Sequence, residues 1–512
     1  ISRAMAAVGS PKSASPKIGG SPKFVGSPKT GRTPMQIAAA NRLADSVSEV
    51  QAHELVRQVE NWRATHTASS SAGPEAQAGA ISVCIRKRPL LAHEAPTVGH
   101  RVAHGGIDVN EYECVSVIPP SQVFLHEEEL KIGLSTGKVA TKEFRVHRTF
   151  GDSEDNDAIY EAVVRQLVQF TLNGGTSCCV AYGQTGAGKT YTQTGMQERA
   201  VADLFHGLPA DCSVFLSYYE NCGTSCYDLL HDREELVLRE DAGGTVVVCG
   251  LQEVEVPTME ALRAALARGS TIRKTSATLV NDQSSRSHAL CVMSLRDKET
   301  GAMRGAIRLV DLAGSERRED AMKHSQAQLA ERKEINWGLG CLKECIRAQL
   351  VSQGHVPYRR SKLTMLLKEC FTDSDIRTVF ISHVAPLRSN MAHTRNTLDY
   401  TMQMVEVSRA EEERRKFVGP EAWGKKKFSN WVLTLDNGRF ARLAPSFEIT
   451  GKMFAVTWRG DVEKRCRAAG GSDADGNAIY DAFHALNAAA KKEAAKQRRA
   501  EAAAGGGDGG RG

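Results

Sequence analysis

The chain has 512 residues, of which 41% are hydrophobic, so its length suggests about two to four domains with a sizeable buried core. The formal net charge of +6 is mild; it does not call for nucleic acid and suits an acidic protein surface equally well. No apolar run reaches the roughly 18 residues of a membrane span and no signal peptide is visible, so we expect a cytoplasmic protein with no membrane and no nucleic-acid partner.

The 13 cysteines are scattered and odd in number, which is typical of free thiols in a reducing compartment. Cys222 and Cys226, like Cys341 and Cys345, are separated by three residues, but no second histidine or cysteine pair lies at a suitable distance. We therefore interpret all four as buried cysteines rather than as metal ligands.

Residues 1–34 repeat a Ser-Pro-Lys unit and contain no acidic residue, which predicts a disordered basic tail. Phosphate on each serine would cancel the neighbouring lysine, so one interpretation is a phosphorylatable tether to an acidic polymer; the alternative is a solvated tail without a partner. An apolar pattern of helical period predicts a helical neck over residues 35–66, as a short coiled coil or packed on the next domain, and residues 67–79 are typical of a linker.

From residue 80 onward, strand-like and helix-like segments alternate along the chain. The predicted strands are Ile81–Leu90, Cys212–Tyr219, Glu235–Leu238, Thr245–Cys249, Ala306–Val310 and Thr378–Ser382. The predicted helices are Ala158–Leu172, Thr258–Arg268, residues 325–350, residues 361–370 and Thr394–Val407. This alternation predicts an α/β fold, in which a mostly parallel sheet is covered by helices on both faces.

The most informative stretch is Ala181–Thr190, which follows the β-prone run Thr176–Val180. It contains the complete phosphate-loop pattern, in which glycines let backbone N–H groups close around phosphates, a lysine reaches the outer phosphates and a threonine can bind Mg²⁺. A glycine-rich turn that happens to contain a lysine is the alternative, but all four fixed positions of the pattern match. The residues predicted to bind a nucleoside triphosphate here are Gly183, Gln184, Thr185, Gly186, Ala187, Gly188, Lys189, Thr190 and Tyr191.

Two later segments are candidates for sensing the γ-phosphate. Asn281–His288 gathers hydroxyls, a guanidinium and an imidazole, and Asp311–Glu316 follows a predicted buried strand. At a strand's carboxyl end, Asp311 can hold the water shell of Mg²⁺, and Gly314 can offer its N–H to a γ-phosphate oxygen. Each segment alone could be an ordinary loop or turn, but their order after a phosphate loop indicates a nucleotide switch.

Six segments resemble the kinesin motor domain, and the resemblance covers residues 80–407. They are Arg86–Pro89, residues 183–190, Ser284–His288, Asp311–Glu316, His355–Arg359 and Asn396–Leu398. The resemblance implies a P-loop NTPase of the kinesin motor fold that hydrolyses ATP with Mg²⁺. It also implies tubulin or microtubules as the partner, and a place on the cytoskeleton, with the spindle or a cilium as candidates.

The resemblance also implies roles for individual residues. Arg86 and Pro89 would line the adenine pocket, with Arg88 also at the nucleotide. The residues implied in catalysis are Ser284, Ser285, Arg286, Gly314 and Glu316; those implied at Mg²⁺ are Thr190, Ser285 and, through water, Asp311. Arg286 and Glu316 would form the switch salt bridge that positions the attacking water. The residues implied to face tubulin are Lys131, Asn336, Lys343, Tyr358, Arg359 and Lys362.

Within the kinesins, the segments Val83–Leu90, Gly250–Glu253 and Leu342–Ala348 are most similar to the internal-motor, microtubule-depolymerising class, kinesin-13. Four segments depart from the expected pattern: Lys131–Gly133, Phe144–His147, Ile335–Gly340 with its two glycines, and Thr194–Leu208, which is short. Gly133 stands where the tip of a long loop carries an acid, and Trp337 stands where a lysine would face acidic tubulin. We therefore keep two hypotheses, an ATP-driven motor that depolymerises filaments and a structural microtubule-associated protein that retains the motor fold.

After the motor-like region, residues 408–427 predict a charged helix and linker, and residues 428–487 a small all-α domain. The order of its apolar residues weakly resembles a sterile-alpha-motif domain, which would imply a protein partner; a helical domain of no recognisable type is the alternative. Residues 488–512 predict an Ala/Lys/Arg helix that ends in a glycine-rich tail.

Overall fold

The computed structural model describes ten ranges of the chain, all within the unit Glu49–Gly512. They are residues 51–66, 81–104, 107–129, 138–241, 245–275, 286–316, 326–350, 356–373, 375–416 and 419–505. The predicted basic tail, the first part of the neck, and the predicted site residues Lys131, Ser284 and Ser285 lie outside these ranges.

Sixteen strands are found in the described ranges. In chain order they are β1 (Ile81–Lys87), β2 (Arg101–His104), β3 (Ile107–Asn110), β4 (Val115–Ile118), β5 (Gln122–Glu129), β6 (Lys138–Arg145), β7 (Arg148–Phe150), β8 (Thr176–Gly183), β9 (Cys212–Cys222), β10 (Ser225–Asp228), β11 (Glu235–Glu240), β12 (Val246–Cys249), β13 (Val254–Glu255), β14 (His288–Asp297), β15 (Met303–Asp311) and β16 (Ile376–Val384). Eleven of them form one mixed sheet in the order β12-β11-β10-β9-β14-β15-β8-β16-β1-β7, with β13 beside β9.

The strands at the centre of this sheet are parallel, because β15, β8, β16, β1 and β7 pair parallel in turn. Strand β8 lies between two parallel neighbours and is buried along almost its whole length, as expected of an apolar strand covered on both faces. Beyond β15 the strands pair antiparallel. The pairing of Asp311 with Ala181 brings the ends of β15 and β8 to one edge of the sheet, which sets the position of the site.

Thirteen α-helices accompany the strands in the described ranges. They are α1 (residues 51–65), α2 (Asn156–Ile159), α3 (Arg165–Leu172), α4 (Lys189–His206), α5 (Met259–Thr275), α6 (Gln326–Leu350), α7 (Lys362–Leu366), α8 (Lys368–Thr372), α9 (Met391–Lys416), α10 (Lys425–Gly438), α11 (Gly451–Ala455), α12 (Arg459–Ala468) and α13 (Asp473–Gly505). A π-helical stretch, Tyr160–Val164, joins α2 to α3. The predicted helix Thr258–Arg268 extends to Thr275, and the Thr258 hydroxyl accepts a hydrogen bond from the N–H of Ala261, 3.2 Å away.

Helices cover both faces of the sheet, as the two largest clusters of buried apolar side chains show. One cluster combines sheet residues with Leu342 of α6 and Leu398 of α9; the other combines them with Met196 of α4 and Leu266 of α5. The prediction of an α/β fold with helices on both faces is confirmed. Helix α4 is uninterrupted from Lys189 to His206, so all but the last two residues of the short segment Thr194–Leu208 lie in a single helix.

The described part of the neck packs on the domain that contains the large sheet rather than on a second helix. Leu55 and Val59 of α1 are buried in the same cluster as the sheet. The Trp62 ring lies 4.6 Å from Phe124 and 4.7 Å from His126, centroid to centroid, on the small sheet β4-β5-β6. Aromatic contacts of this kind add to the free energy of burial, so this end of the neck is held on the motor-like region.

The C-terminal helices enclose a separate hydrophobic cluster. Its fully buried aromatic residues are Phe428, Phe440, Phe447, Phe454 and Phe483. Two helices cross the predicted boundaries, since α9 continues past residue 407 and α13 past residue 487. Both extensions consist mainly of strong helix formers, with no proline to stop them. The sterile-alpha-motif resemblance stays a prediction.

In the described part of the chain, no helix combines the length and the apolar character needed to cross a membrane. The four cysteines considered as metal ligands are free thiols, and Cys226, Cys341 and Cys345 are buried.

Candidate nucleotide site and filament-facing surface

The loop between β8 and α4 has a backbone suited to phosphate. Gly186 and Gly188 adopt φ angles of 76° and 95°, a left-handed conformation that costs glycine little and other residues more. Space is open around the α-carbon of Gly186. Lys189 is 6% exposed and its Nζ donates to the Gln184 carbonyl, 2.8 Å away, so the ammonium is held against the loop.

Asp311 joins the phosphate loop to a residue that the sequence did not indicate. Its Oδ2 accepts hydrogen bonds from the Thr190 hydroxyl at 2.7 Å and from Arg273 Nη1 at 2.8 Å. Arg273 also donates to the carbonyl of Ser287, 2.8 Å away. A basic residue in the last turn of α5 ordinarily complements the helix dipole, so nothing in the sequence marked Arg273 as part of a site.

These residues fit a Mg²⁺–nucleotide. Asp311 Oδ1 is buried and has no hydrogen-bond partner among the described residues, which leaves it able to accept from a water on Mg²⁺. The Thr190 hydroxyl uses its hydrogen toward Asp311, so its lone pairs remain for a metal ion. The loop's N–H groups and Lys189 suit the phosphates.

The segment after β15 is attached directly to the phosphate loop. Glu316 accepts hydrogen bonds from the Thr185 N–H at 2.9 Å and from the Thr185 hydroxyl at 2.6 Å. Burial raises the pKa of Glu316, but these hydrogen bonds outweigh it and the net direction is downward. A side chain at Gly314 would collide with Thr185 and Glu316, so this close approach requires glycine. Arg286 is buried, and its predicted salt bridge with Glu316 stays a prediction.

Two arginines, Arg86 near the end of β1 and Arg88 just after it, brace the loop and the start of α4. Arg86 donates to Asn156 at 2.7 Å and to Thr192 at 2.6 Å. Arg88 donates to the Gly186 carbonyl at 2.8 Å and forms a two-pronged ion pair with Glu94, which the sequence did not indicate. The Pro89 and Tyr191 side chains are exposed, and the Arg86 guanidinium lies 5.5 Å from the Tyr191 ring centroid.

Two buried histidines support the loops of the site. His288 Nδ1 accepts from the Ala313 N–H at 3.0 Å, and His383 Nε2 lies 2.8 Å from the Thr192 hydroxyl. Burial, assisted by Arg273, lowers the pKa of His288 to about 3. Burial, assisted by Arg86, lowers the pKa of His383 to about 3 as well. Both imidazoles are therefore neutral in the folded protein.

We expect acid to destabilise the fold through these histidines. Below the ordinary histidine pKa of about 6.5, these two side chains bind protons in the unfolded chain but not in the folded chain. The free energy of unfolding therefore has its full value above that pH and decreases as the pH drops toward 3. At pH 5 each histidine should lower the free energy of unfolding by about 2 kcal/mol. Urea unfolding at pH 7 and pH 5 measures the loss, and His383→Gln should reduce it while the exposed His93→Gln should not. An unchanged pH dependence in His383→Gln contradicts the assignment.

The residues predicted to face tubulin differ in exposure. Asn336 and Lys343 are partly exposed on α6, and Lys362 begins α7. The Arg359 side chain is 76% exposed and its Nε lies 2.5 Å from Glu240. Tyr358 is buried and its hydroxyl accepts a hydrogen bond from Gln349, so its ring holds this segment in place, and its predicted role at tubulin stays a prediction.

Trp337 is 53% exposed beside these residues. The Arg360 guanidinium lies 4.9 Å from the Trp337 ring centroid and also pairs with Glu344. Gly338 is buried, and a methyl group there would lie 3.6 Å from Leu363. Of the departures noted in the sequence, Trp337 and Gly338 thus lie where α6 meets α7, whereas Gly133 lies outside the described residues.

The fold and the site together define a phosphate-loop nucleotide-binding domain. The family profile of the kinesin motor domain matches residues 86–407, and the chain belongs to this family. This confirms the predicted kinesin motor fold, which is characteristic of microtubule-stimulated ATPases that bind ATP or ADP with Mg²⁺.

Several relatives are similar over about 70% of this chain. The diatom spindle kinesin-1 of Cylindrotheca fusiformis is 36% identical over 72% of this chain and 56% of its own length. Kinesin-like protein KIF24 of Mus musculus is 35% identical over 70% of this chain and 25% of its own. Kinesin-like protein KIN-13A of Oryza sativa subsp. japonica is 33% identical over 70% of this chain and 45% of its own length. The chain therefore spans between a quarter and just over half of the length of these relatives.

Among solved structures, that of a fast kinesin matches with a TM-score of 0.55 and 30% identity, over 65% of this chain and 92% of that one.

Proposed function

We propose that this protein couples ATP hydrolysis to microtubule binding, and that its cycle shortens filaments from their ends rather than carrying cargo. The observation that carries the proposal is the direct attachment of Glu316 to the phosphate loop through Thr185. A phosphate at the loop would compete with this contact, so nucleotide state can be transmitted to the segment that leads to α6.

The residues of this chain have distinct tasks in such a cycle. Lys189 and the loop N–H groups would bind the phosphates, and Thr190 and Ser285 would hold Mg²⁺, with Asp311 acting through its bound water. The metal ion, when bound, neutralises the negative charge that develops on the transferred phosphoryl group.

Closure of the switch would exchange the partner of Glu316. In place of Thr185, its carboxylate would pair with Arg286, and the water that attacks the γ-phosphate would be held between the two switch segments. The N–H of Gly314 would bind a γ-phosphate oxygen and lose that contact on hydrolysis. Helix α6 follows this segment in the chain and carries Asn336 and Lys343, so the change reaches the predicted tubulin surface.

The depolymerising assignment is supported by likeness to two plant proteins named KIN-13, of which KIN-13B of Arabidopsis thaliana is 34% identical over 65% of this chain. The test is ATP turnover by the full chain with tubulin dimers and with stabilised microtubules, while filament length is observed. We expect turnover to rise with tubulin as filaments shorten from their ends. Turnover indifferent to both forms of tubulin would contradict the proposal.

A structural microtubule-associated protein is the second candidate, favoured by the exposed Trp337 and its contact with Arg360 at the predicted filament surface. In that case the chain would bind filaments tightly, with flat ATP turnover and constant filament length. The same assay therefore separates the two candidates.

If the loop tip limits depolymerisation, Gly133→Asp should accelerate filament shortening, because it returns an acid to the position where the depolymerising class carries one. Trp337→Lys is the companion variant, since it returns a cation to the surface that faces acidic tubulin. Shortening rates at equal motor concentration, measured by microscopy, provide the comparison. If only Trp337→Lys accelerates shortening, α6 and not the loop tip is limiting.

We also propose that the protein lies in the cytoplasm on the cytoskeleton, at a spindle or a cilium. The likeness to a diatom spindle kinesin supports this location. The proposed division of the chain is into tail, neck, motor domain 80–407 and C-terminal helical domain. A protein partner of the C-terminal helical domain would follow from its sterile-alpha-motif resemblance.

A further inference from the structure

Two buried cysteines, Cys178 and Cys370, lie against each other between the large sheet and α8. Cys178 is in β8, where its register partners are Arg308 of β15 and Thr378 of β16. Residues that pair across neighbouring strands direct their side chains to the same face of a sheet, so Arg308 and Thr378 flank Cys178. Both neighbours contact Cys370, since Arg308 Nη1 lies 3.9 Å from its sulfur and the Thr378 hydroxyl donates to its carbonyl at 2.8 Å. Cys370 therefore lies over Cys178, and both belong to one hydrophobic cluster.

The Cys370 sulfur faces a cation that is only partly neutralised. Arg308 donates from Nη2 to Glu369 Oε2 at 2.9 Å, while Lys425, the first residue of α10, donates to the other oxygen of this carboxylate at 2.6 Å. Because two cations share one carboxylate, positive charge remains beside the sulfur and favours its thiolate form. A hydrogen bond from the Cys178 thiol, assisted by Arg308 and opposed by burial, lowers the pKa of Cys370.

Other buried cysteines lie in a different environment. Burial raises the pKa of Cys179 and of Cys291 to about 12, so both thiols stay protonated. Both belong to the cluster on the opposite face of the sheet. Although Cys370 is buried, the side chains of Arg308 and Glu369 beside it are 23% and 18% exposed, so a small polar oxidant has a route along them to the sulfur. Cys370 thus combines a thiolate, a route to solvent and a second thiol in contact.

We propose that Cys370 and Cys178 form a peroxide-sensitive site, in which Cys370 is oxidised first and Cys178 then closes a reversible disulfide. The Cys370 thiolate attacks one oxygen of hydrogen peroxide, so that an S–O bond forms and the O–O bond breaks. The departing hydroxide takes up the proton that the thiol had released and becomes water.

The second step forms the disulfide. The Cys178 sulfur attacks the Cys370 sulfur, so that the S–S bond forms and the S–O bond breaks, and the hydroxide leaves as water with the Cys178 proton. The two thiols thereby give two electrons to one peroxide, and a thiol reductant restores them. The disulfide joins α8 to β8, the strand that leads into the phosphate loop. This site does not depend on the proposed function.

The first test maps disulfides in the folded full chain. The reduced protein is treated with hydrogen peroxide, its remaining thiols are blocked with N-ethylmaleimide, and its proteolytic peptides are analysed by mass spectrometry before and after dithiothreitol. We expect a peptide pair that joins Cys178 to Cys370 and separates on reduction. Absence of this pair from protein whose partly exposed Cys222 has been oxidised overturns the inference.

Two variants assign the link to one sulfur of the adjacent pair. The linked peptides should be lost in Cys178→Ser and kept in the matched control Cys179→Ser, because Cys179 is equally buried but lies on the opposite face of the sheet. The reverse result overturns the inference, as does a link that forms only in urea.

The second test measures which sulfur reacts first. In Cys178→Ser the disulfide cannot close, so Cys370 should accumulate as a sulfenic acid that a cyclic 1,3-diketone labels. We expect Cys370 to be labelled roughly tenfold faster than Cys179 in the same molecule, because the thiolate and not the thiol is the nucleophile. Thermal unfolding shows whether this variant is folded, and the disulfide map of the unaltered chain decides if it is not. Equal labelling of the two cysteines in the folded variant overturns the inference.

Discussion

Replacing Lys189 with alanine is expected to lower ATP turnover by roughly a thousandfold, whether or not tubulin is present. Its ammonium is held at the loop by the Gln184 carbonyl and is the only buried lysine charge described at the loop itself. The transition state of phosphoryl transfer is stabilised by positioned cations rather than by covalent chemistry of the protein. Loss of the Lys189 ammonium should therefore lower the rate of hydrolysis. Steady-state phosphate release measures the effect.

Lys189→Arg tests whether position matters as well as charge. It keeps the positive charge on a longer, planar group, and we expect it to recover little of the turnover. Thermal unfolding of each variant shows whether the fold is intact, because Lys189 is buried and an unfolded variant would also lose turnover. Undiminished turnover in folded Lys189→Ala would contradict the nucleotide-site assignment.

Replacing Arg273 with methionine is expected to reduce the free energy of unfolding by about 3–5 kcal/mol, because the Asp311 carboxylate would be left buried without its cation. The two side chains are each 6% exposed and their charged atoms lie 2.8 Å apart. Urea unfolding without nucleotide measures the change. Arg304→Met is the control, since Arg304 forms a half-exposed ion pair with Asp297 and should cost about 1 kcal/mol or less.

A double-mutant cycle separates the ion pair from loss of packing. Asp311→Leu alone should be costly because Arg273 is then unpaired, whereas Arg273→Met with Asp311→Leu should cost much less than the two changes added together. Additive losses would mean that the pair has no special role. We also expect Arg273→Met to change the Mg²⁺ concentration needed for turnover, because Arg273 and Thr190 share one Asp311 oxygen.

The nucleotide loop could be predicted from the sequence because its chemistry is local. Gly183, Gly188, Lys189 and Thr190 lie in one short segment between a strand and a helix, so spacing alone predicts the backbone shape and the bound group. Gly314 could be predicted in the same way, because it belongs to a short recognisable segment. The structure shows that it allows the close approach of Thr185 and Glu316. The order of strands and helices likewise followed from local patterns of apolar residues.

Predictions that depended on distant packing were less complete. Tyr358 belongs to a recognisable motif, but the sequence did not reveal that Gln349 and the surrounding core bury its ring. The neck pattern was compatible with a coiled coil until Trp62 was found packed on Phe124 and His126. In each case the partner lies outside the motif that the sequence shows.

By itself, the sequence determined that this chain has a phosphate loop and an α/β motor domain, and it predicted two switch segments, since each depends on residues close together in the chain. Only the tertiary structure decided that Arg273 holds Asp311 and that Lys425 binds Glu369, pairs separated by 38 and 56 residues. Charged residues of either sign are common along the chain, and which of them meet is decided by burial, since a buried charge must find its partner.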